Sequence, residues 1–236
     1  MSCIFLLTGW GVGEQCLMPL VDELAKLNHH VIIKNLPYLA EPKQWFSVLE
    51  KQLPENAYWV GWSLGGQLLS QLTMLKPKQC LGLVTLASNV SFTVKEDWPY
   101  AMDAAVFNQF EQSYKDAPKQ TIKRFLQLVS QGSSEPKTMV RTLQQAVSDD
   151  VMVYGDIGLT LLANLDTRLA LKQLTKPQYH LFAEQDALVP IACATAIGDW
   201  LPEAKIEIFH QAGHAFVIQE SAVVASKIDQ FIRGCL

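Results

Sequence analysis

A serine hydroxyl is a poor nucleophile near neutral pH unless a base takes its proton and a third group orients that base. The hexapeptide Gly61-Trp62-Ser63-Leu64-Gly65-Gly66 offers a serine in the setting that this chemistry needs. An apolar run, Tyr58-Trp59-Val60, precedes it, and an apolar-rich stretch from Gln67 to Met74 follows. G-x-S-x-G between a strand and a helix is a nucleophile elbow, a turn sharp enough to strain the serine backbone. Gly61 and Gly65 leave room for that turn. The helix behind Ser63 aims its free N–H groups and positive dipole end at the same spot. The competing reading is a tight turn before a buried helix.

On a strand–turn–helix architecture the partners follow in the order serine, carboxylate, histidine, each on a loop after a strand. Asp186 fits the carboxylate, just past a strand and before Pro190, which is placed to open the next helix. A turn aspartate capping that helix is the alternative role. Glu184 lies nearer the strand end, and Asp166 and Asp199 fall in helical patterns and fit less well. His214 fits the base: it follows the last strand, and Gly213 gives its loop freedom. His210 sits at a strand end, His29 and His30 close a surface helix, and His180 lies inside a strand. Acyl transfer also needs an oxyanion hole. Its donors are expected to be the backbone N–H groups of Leu64 and of Trp10, in the loop Thr8-Gly9-Trp10-Gly11 after the first strand. An ordinary glycine-rich turn is the plain alternative. No cluster has zinc spacing, so neither a metal nor a cofactor is expected.

The elements that must hold these groups alternate. Ile4–Leu7, Val31–Ile33, Tyr58–Val60 and Leu81–Leu86 read as strands, with helices at Glu14–Leu27, Pro42–Leu53 and Ser63–Lys76. Such alternation, with nearly continuous apolar strands, predicts a parallel sheet covered on both faces. Residues 91–171 show helical periodicity and turn signals but no convincing strand, and read as a helical insertion. Strands at Gln178–Ala183 and Lys205–Phe209 then alternate with helices at Ile191–Leu201 and Ser221–Arg233. The expected division is a core of residues 1–90 and 172–236 with an inserted lid of residues 91–171.

Composition narrows the function. A formal net charge of −4 argues against general nucleic-acid binding. The apolar N-terminus lacks a basic region and is broken by Gly9, Gly11 and Gly13, so it reads as a buried strand rather than a signal peptide. No stretch is apolar for long enough to span a membrane. Five scattered cysteines without a C-x-x-C pair favour free thiols in a reducing cytoplasm.

With these pieces placed, the chain resembles an α/β-hydrolase over almost its whole length. It is most similar to the pimeloyl-[acyl-carrier protein] methyl ester esterases of biotin synthesis. The matching stretches are Gly9-Trp10-Gly11, Gly61 to Gly66, Leu83 to Ser88, Asp97-Trp98-Pro99, Arg124-Phe125-Leu126, Asp186 to Pro190 and His214-Ala215-Phe216. The resemblance implies a triad of Ser63, Asp186 and His214, with substrate contacts from Trp10, Ser63, Leu64 and His214. It also implies an acyl channel lined from the lid by Phe125, Leu126, Gln127, Leu128 and Val129. The substrate implied is a methyl pimeloyl chain on acyl-carrier protein, and the expected form is a monomer. Three departures stand out. Thr8 replaces the family's usual histidine, and Asn35-Leu36-Pro37-Tyr38-Leu39 replaces its usual turn after the second strand. The extra N-terminal hairpin common in the family is not recognisable.

Lys115 to Arg141 holds six basic and two acidic residues, a positive segment in an acidic chain. Lys119 and Lys123 are spaced by four, as are Lys137 and Arg141, so each pair shares a helix face. Pro118 is placed to open the first of these helices. Charge alone favours a solvated lid whose lysines aid solubility. The resemblance shifts the reading of Lys119, Lys123, Arg124, Lys137 and Arg141 to a docking face for an acidic carrier. Other functions on the same triad are an acyl thioesterase, a short-chain carboxylesterase and a lyase of menaquinone synthesis. A catalytically silent binding protein is the remaining alternative.

Overall fold

The computed structural model describes residues 1–235. Its centre is a six-stranded sheet in the order β2-β1-β3-β4-β5-β6. The strands are β1 (Cys3–Leu7), β2 (His30–Lys34), β3 (Ala57–Trp62), β4 (Cys80–Leu86), β5 (Gln178–Ala183) and β6 (Lys205–Phe209). All five pairings are parallel. The four inner strands are almost wholly buried, whereas the edge strands β2 and β6 are half-buried. That burial explains the near-continuous apolar runs of the inner strands.

Helices α1 (Met18–Lys26), α2 (Pro42–Gln52) and α3 (Leu64–Leu72) connect the first four strands. Five helices lie between β4 and β5: α4 (Ala104–Asp116), α5 (Pro118–Ser130), α6 (Pro136–Gln145), α7 (Asp149–Asn164) and α8 (Arg168–Gln173). After β5 come α9 (Ala192–Trp200), the single turn α10 (Phe216–Gln219) and α11 (Ser221–Gly234). No helix of the described residues is long and apolar enough to cross a membrane.

Several expected boundaries move. The helix expected at Glu14–Leu27 is a 3-10 turn, Glu14–Leu17, followed by α1. Pro19 in the first turn of α1 has no N–H to carry a continuous helix across the junction. His30 begins β2 rather than closing a helix, and the turn Phe216–Gln219 went unanticipated. Asp166 is not helical: it lies between α7 and α8 in an isolated bridge to Ser91. There it accepts from Arg168, which also reaches Asp97. The Arg168 guanidinium holds both carboxyls below their usual range, although partial burial of Asp166 opposes that. This cluster ties the two ends of the helical segment together.

In a parallel sheet every strand ends on the same edge, so the loops after β1, β3, β5 and β6 open side by side. The first carries Trp10, the second Ser63, the third Asp186 and the fourth His214.

Candidate active site

Ser63 is the N-cap of α3, with φ +53° and ψ −120°. This is uncommon for a residue with a side chain, and its neighbours explain how it is held. A Cβ on Gly61 would lie 2.5 Å from the Gly65 carbonyl carbon. One on Gly65 would lie 2.4 Å from Thr8 O. Only hydrogen fits at either position, so the backbone closes tightly and lifts Ser63 out of the sheet. Ser63 alone in the stretch Gly61–Gly66 is not fully buried.

His214 Nδ1 lies 2.7 Å from Asp186 Oδ2, and both side chains are only 1% exposed. The other carboxylate oxygen, Oδ1, accepts from Leu188 N and Val189 N at 2.8 and 3.0 Å. Asp186 is therefore aimed by its own loop. A carboxylate accepts only, so Nδ1 carries the proton and Nε2 is left free to accept. The Trp62 indole lies 5.7 Å from the His214 ring and donates to His214 O at 3.2 Å. The elbow thus grips the histidine loop one residue before Ser63. His214 bonds through Nδ1 and its carbonyl, not to Ser63 Oγ, and contacts of that kind commonly close only with substrate in place.

The loop after β1 is held from outside. Trp10 Nε1 donates to Gly155 O of α7 at 2.8 Å, and its ring meets Phe125 of α5 edge-on at 4.8 Å. A Cβ on Gly158 would lie 2.4 Å from the Trp10 ring, so α7 needs a glycine there to seat it. Gly13 N donates to Ala146 O, between α6 and α7, at 2.6 Å. Thr8 Oγ1 accepts from Leu36 N at 3.3 Å. Within the described residues neither Trp10 N–H nor Leu64 N–H donates to another backbone group.

Two cavities need to be told apart. An open groove of about 480 Å³ lies at the start of β5, lined by Lys172, Lys176, Gln178 and Glu203 among others. None of Ser63, Asp186 and His214 lines it. A smaller apolar cavity, about 60 Å³, is lined by Trp10, Phe107, Phe110, Phe125, Leu128 and Leu188 among others. It meets both the Trp10 loop and the Asp186 loop, so chemistry and position favour the smaller one.

The expected channel lining is only partly brought together. Phe125 and Leu128 line this cavity. Leu126 and Val129 are buried in the core, and Gln127 faces solvent. One turn of α5 cannot present five consecutive residues to one side. Sequence reasoning missed the α4 residues Phe107 and Phe110 and the loop residues Phe92 and Met102. An aromatic spacing of three on α4 was the available signal. Glu184 accepts from Gln211 N and stays off His214.

Pro118 does open α5, and Lys115 falls in the last turn of α4 beside Glu111. Lys119, Lys123 and Arg124 on α5 and Lys137 and Arg141 on the adjacent α6 are exposed, and none makes an ion pair among the described residues. No group of three or more potential metal ligands occurs among the described residues.

Residues 19–221 match the family described as alpha/beta hydrolase fold. The "Biotin biosynthesis bifunctional protein BioHC" of Cellvibrio japonicus is 34% identical over 97% of this chain, and the chain spans 47% of that protein. The chain thus covers about half the length of this bifunctional relative. The pimeloyl-[acyl-carrier protein] methyl ester esterase of Aliivibrio salmonicida is 30% identical, covering 98% of this chain and 92% of its own length. That of Klebsiella pneumoniae subsp. pneumoniae is 32% identical, with 93% and 89% covered. Among solved structures, an esterase of Exiguobacterium antarcticum superposes with a TM-score of 0.84 at 15% identity over 99% of this chain and 92% of its own. That likeness speaks for the fold alone. The chain belongs to the α/β-hydrolase fold family and, within it, to the pimeloyl-[acyl-carrier protein] methyl ester esterases.

Proposed function

We propose that the protein is a serine carboxylesterase that hydrolyses the methyl ester of pimeloyl-[acyl-carrier protein] to the free carboxylate and methanol, in biotin synthesis. The observation that carries the chemistry is the Asp186–His214 pair behind a strained Ser63. Ser63 Oγ attacks the ester carbonyl carbon while His214 Nε2 takes its proton. The oxyanion sits between the N–H groups of Leu64 and Trp10. His214 then protonates the departing methoxide, and methanol leaves. Water attacks the acyl-enzyme through the same base, and the proton returns to Ser63 Oγ.

The apolar cavity beside Trp10 suits a methylene chain ending in a neutral ester. It has no charged partner for the carboxylate produced, which favours product release. Residues 91–171 act as a lid over this cavity, and residues 1–90 and 172–236 form the hydrolase core. The exposed, unpaired cations of α5 and α6 suit docking of an acidic carrier, mainly through the association rate. In this reading the enzyme is monomeric, and its thiols fit the reducing cytoplasm.

The test is to incubate the protein with methyl pimeloyl-carrier protein, alongside Ser63→Ala, and follow the carrier mass. Loss of the methyl group alone, absent in the variant, is the expected result. Loss of the whole acyl chain would make the protein a thioesterase. An unchanged carrier, with small esters still hydrolysed, would discard the substrate and keep the triad.

A further inference from the structure

Tyr38 lies in the segment Asn35–Leu39 after β2 and has φ +30°, outside the usual range for a residue with a side chain. Its ring is 5% exposed and meets Trp45 edge-on at 5.3 Å. Trp45 Nε1 in turn donates to Leu39 O at 2.9 Å, which fixes both ends of the arrangement. The result is a buried hydroxyl that accepts from Gly11 N–H at 2.8 Å. Gly11 has φ +87° and no side chain to restrain it. Among the described residues, Tyr38 is the one hydrogen-bond partner of that N–H.

We infer that Tyr38 is a positioning residue for the oxyanion hole. The Trp10 indole is held at Gly155 O, and the peptide that follows Trp10 is held at the Tyr38 hydroxyl. Trp10 Cα is thereby pinned on two sides, which restricts where its own N–H points. A donor gains most when it is already aimed before charge develops. The loop Gly9-Trp10-Gly11 cannot supply that rigidity, because glycines flank the tryptophan. Tyr38 supplies it without touching substrate. This inference rests on Trp10 N–H being an oxyanion donor, as proposed above.

The experiment compares wild type, Tyr38→Phe and a protein carrying 3,5-difluorotyrosine at position 38, whose oxygen is a weaker acceptor of nearly the same shape. Hydrolysis of p-nitrophenyl acetate gives kcat and KM. A trifluoromethyl ketone, whose adduct with Ser63 mimics the tetrahedral intermediate, gives an inhibition constant. In Tyr38→Phe, kcat is expected to fall about tenfold, less than the ~10²–10³ of deleting a donor outright, with KM changed less than about twofold. Ketone affinity should fall by the same factor as kcat/KM. The fluorinated protein should shift both in the same direction by less, and it decides alone if Tyr38→Phe does not fold. A lowered melting temperature with kcat and ketone affinity intact would assign Tyr38 to packing and overturn the inference. Wild type lacking hydrolysis that depends on Ser63 would instead overturn the reading beneath it.

Discussion

The elbow at Ser63 and the loop at Trp10 would serve one tetrahedral intermediate, yet they are held in opposite ways. The elbow is held mostly by backbone: Gly61 sits against Gly65, and Gly65 sits against Thr8 O. Its strain is confined by the central strand β3 and by α3, which begins at Leu64. The Trp10 loop is held by side chains and carbonyls from far along the chain: Gly155 and Phe125 in the helical insertion, Ala146 at its α6–α7 junction, and Tyr38 after β2. The geometry of the Ser63 elbow thus belongs to the sheet, whereas that of the Trp10 loop is shared with the helices between β4 and β5.

Substitutions can break this contrast, beginning with the largest effect. Gly65→Ala puts a methyl 2.4 Å from Thr8 O, where only backbone can yield. It should cost about 3 kcal/mol or more of unfolding free energy in urea titration and abolish hydrolysis of every ester. Retained stability would mean that the elbow is looser than its contacts imply.

The sheet beneath both loops has a pH limit of its own. His180 of β5 is buried beside Thr85 Oγ1 at 2.7 Å, and burial pushes it down from its ordinary 6.5 to about 4. The folded protein keeps His180 neutral in that interval, while the unfolded chain takes up a proton. Stability therefore falls as pH drops from above 6.5 toward 4, by roughly 3 kcal/mol from this group. Urea midpoints across that range should fall more steeply in wild type than in His180→Asn. Equal slopes would remove His180 from the account.

Trp10→Phe tests the insertion's hold. It removes the indole donor to Gly155 O and should cost about 1 kcal/mol of stability. It should lower kcat on small and carrier-bound esters alike and slow phosphonate labelling of Ser63, whose phosphoryl oxygen uses the same donors, without abolishing it. Loss of labelling would show that the two regions are not separable. Smallest and most dependent on salt is the docking face. Charge reversal at Arg124 and Arg141 should reduce kcat/KM for carrier-bound substrate about tenfold at low ionic strength and spare a small free ester. Equal loss on both would sink docking.

The same contrast decides what was legible in the sequence. Ser63 could be read because its requirements are local: a strand, two glycines and a helix within a dozen residues. Asp186 and His214 could be read because chain order and parallel strands put both loops on one edge. Asp166 was misread because its neighbours carry helical periodicity, while its actual partner, Asp97 through Arg168, lies far away in sequence. The apolar cavity was half-read, since the family resemblance points to Phe125 and Leu128 but does not say that α4 supplies the opposite wall. Tyr38 was noted only as a departure, because its bond to Gly11 depends on how β2 and the Trp10 loop meet. The fit of Gly213 against Gln131 O, where a Cβ would lie at 1.8 Å, was invisible for the same reason.

The most direct test of the central claim is intact-mass analysis and peptide mapping after reaction with a fluorophosphonate. Wild type, Ser63→Ala, His214→Ala and Trp10→Phe would be compared. The account predicts one adduct on Ser63 in wild type, none in Ser63→Ala, very slow labelling in His214→Ala and slowed but complete labelling in Trp10→Phe. An adduct on another residue, or none on a folded wild-type protein, would contradict it.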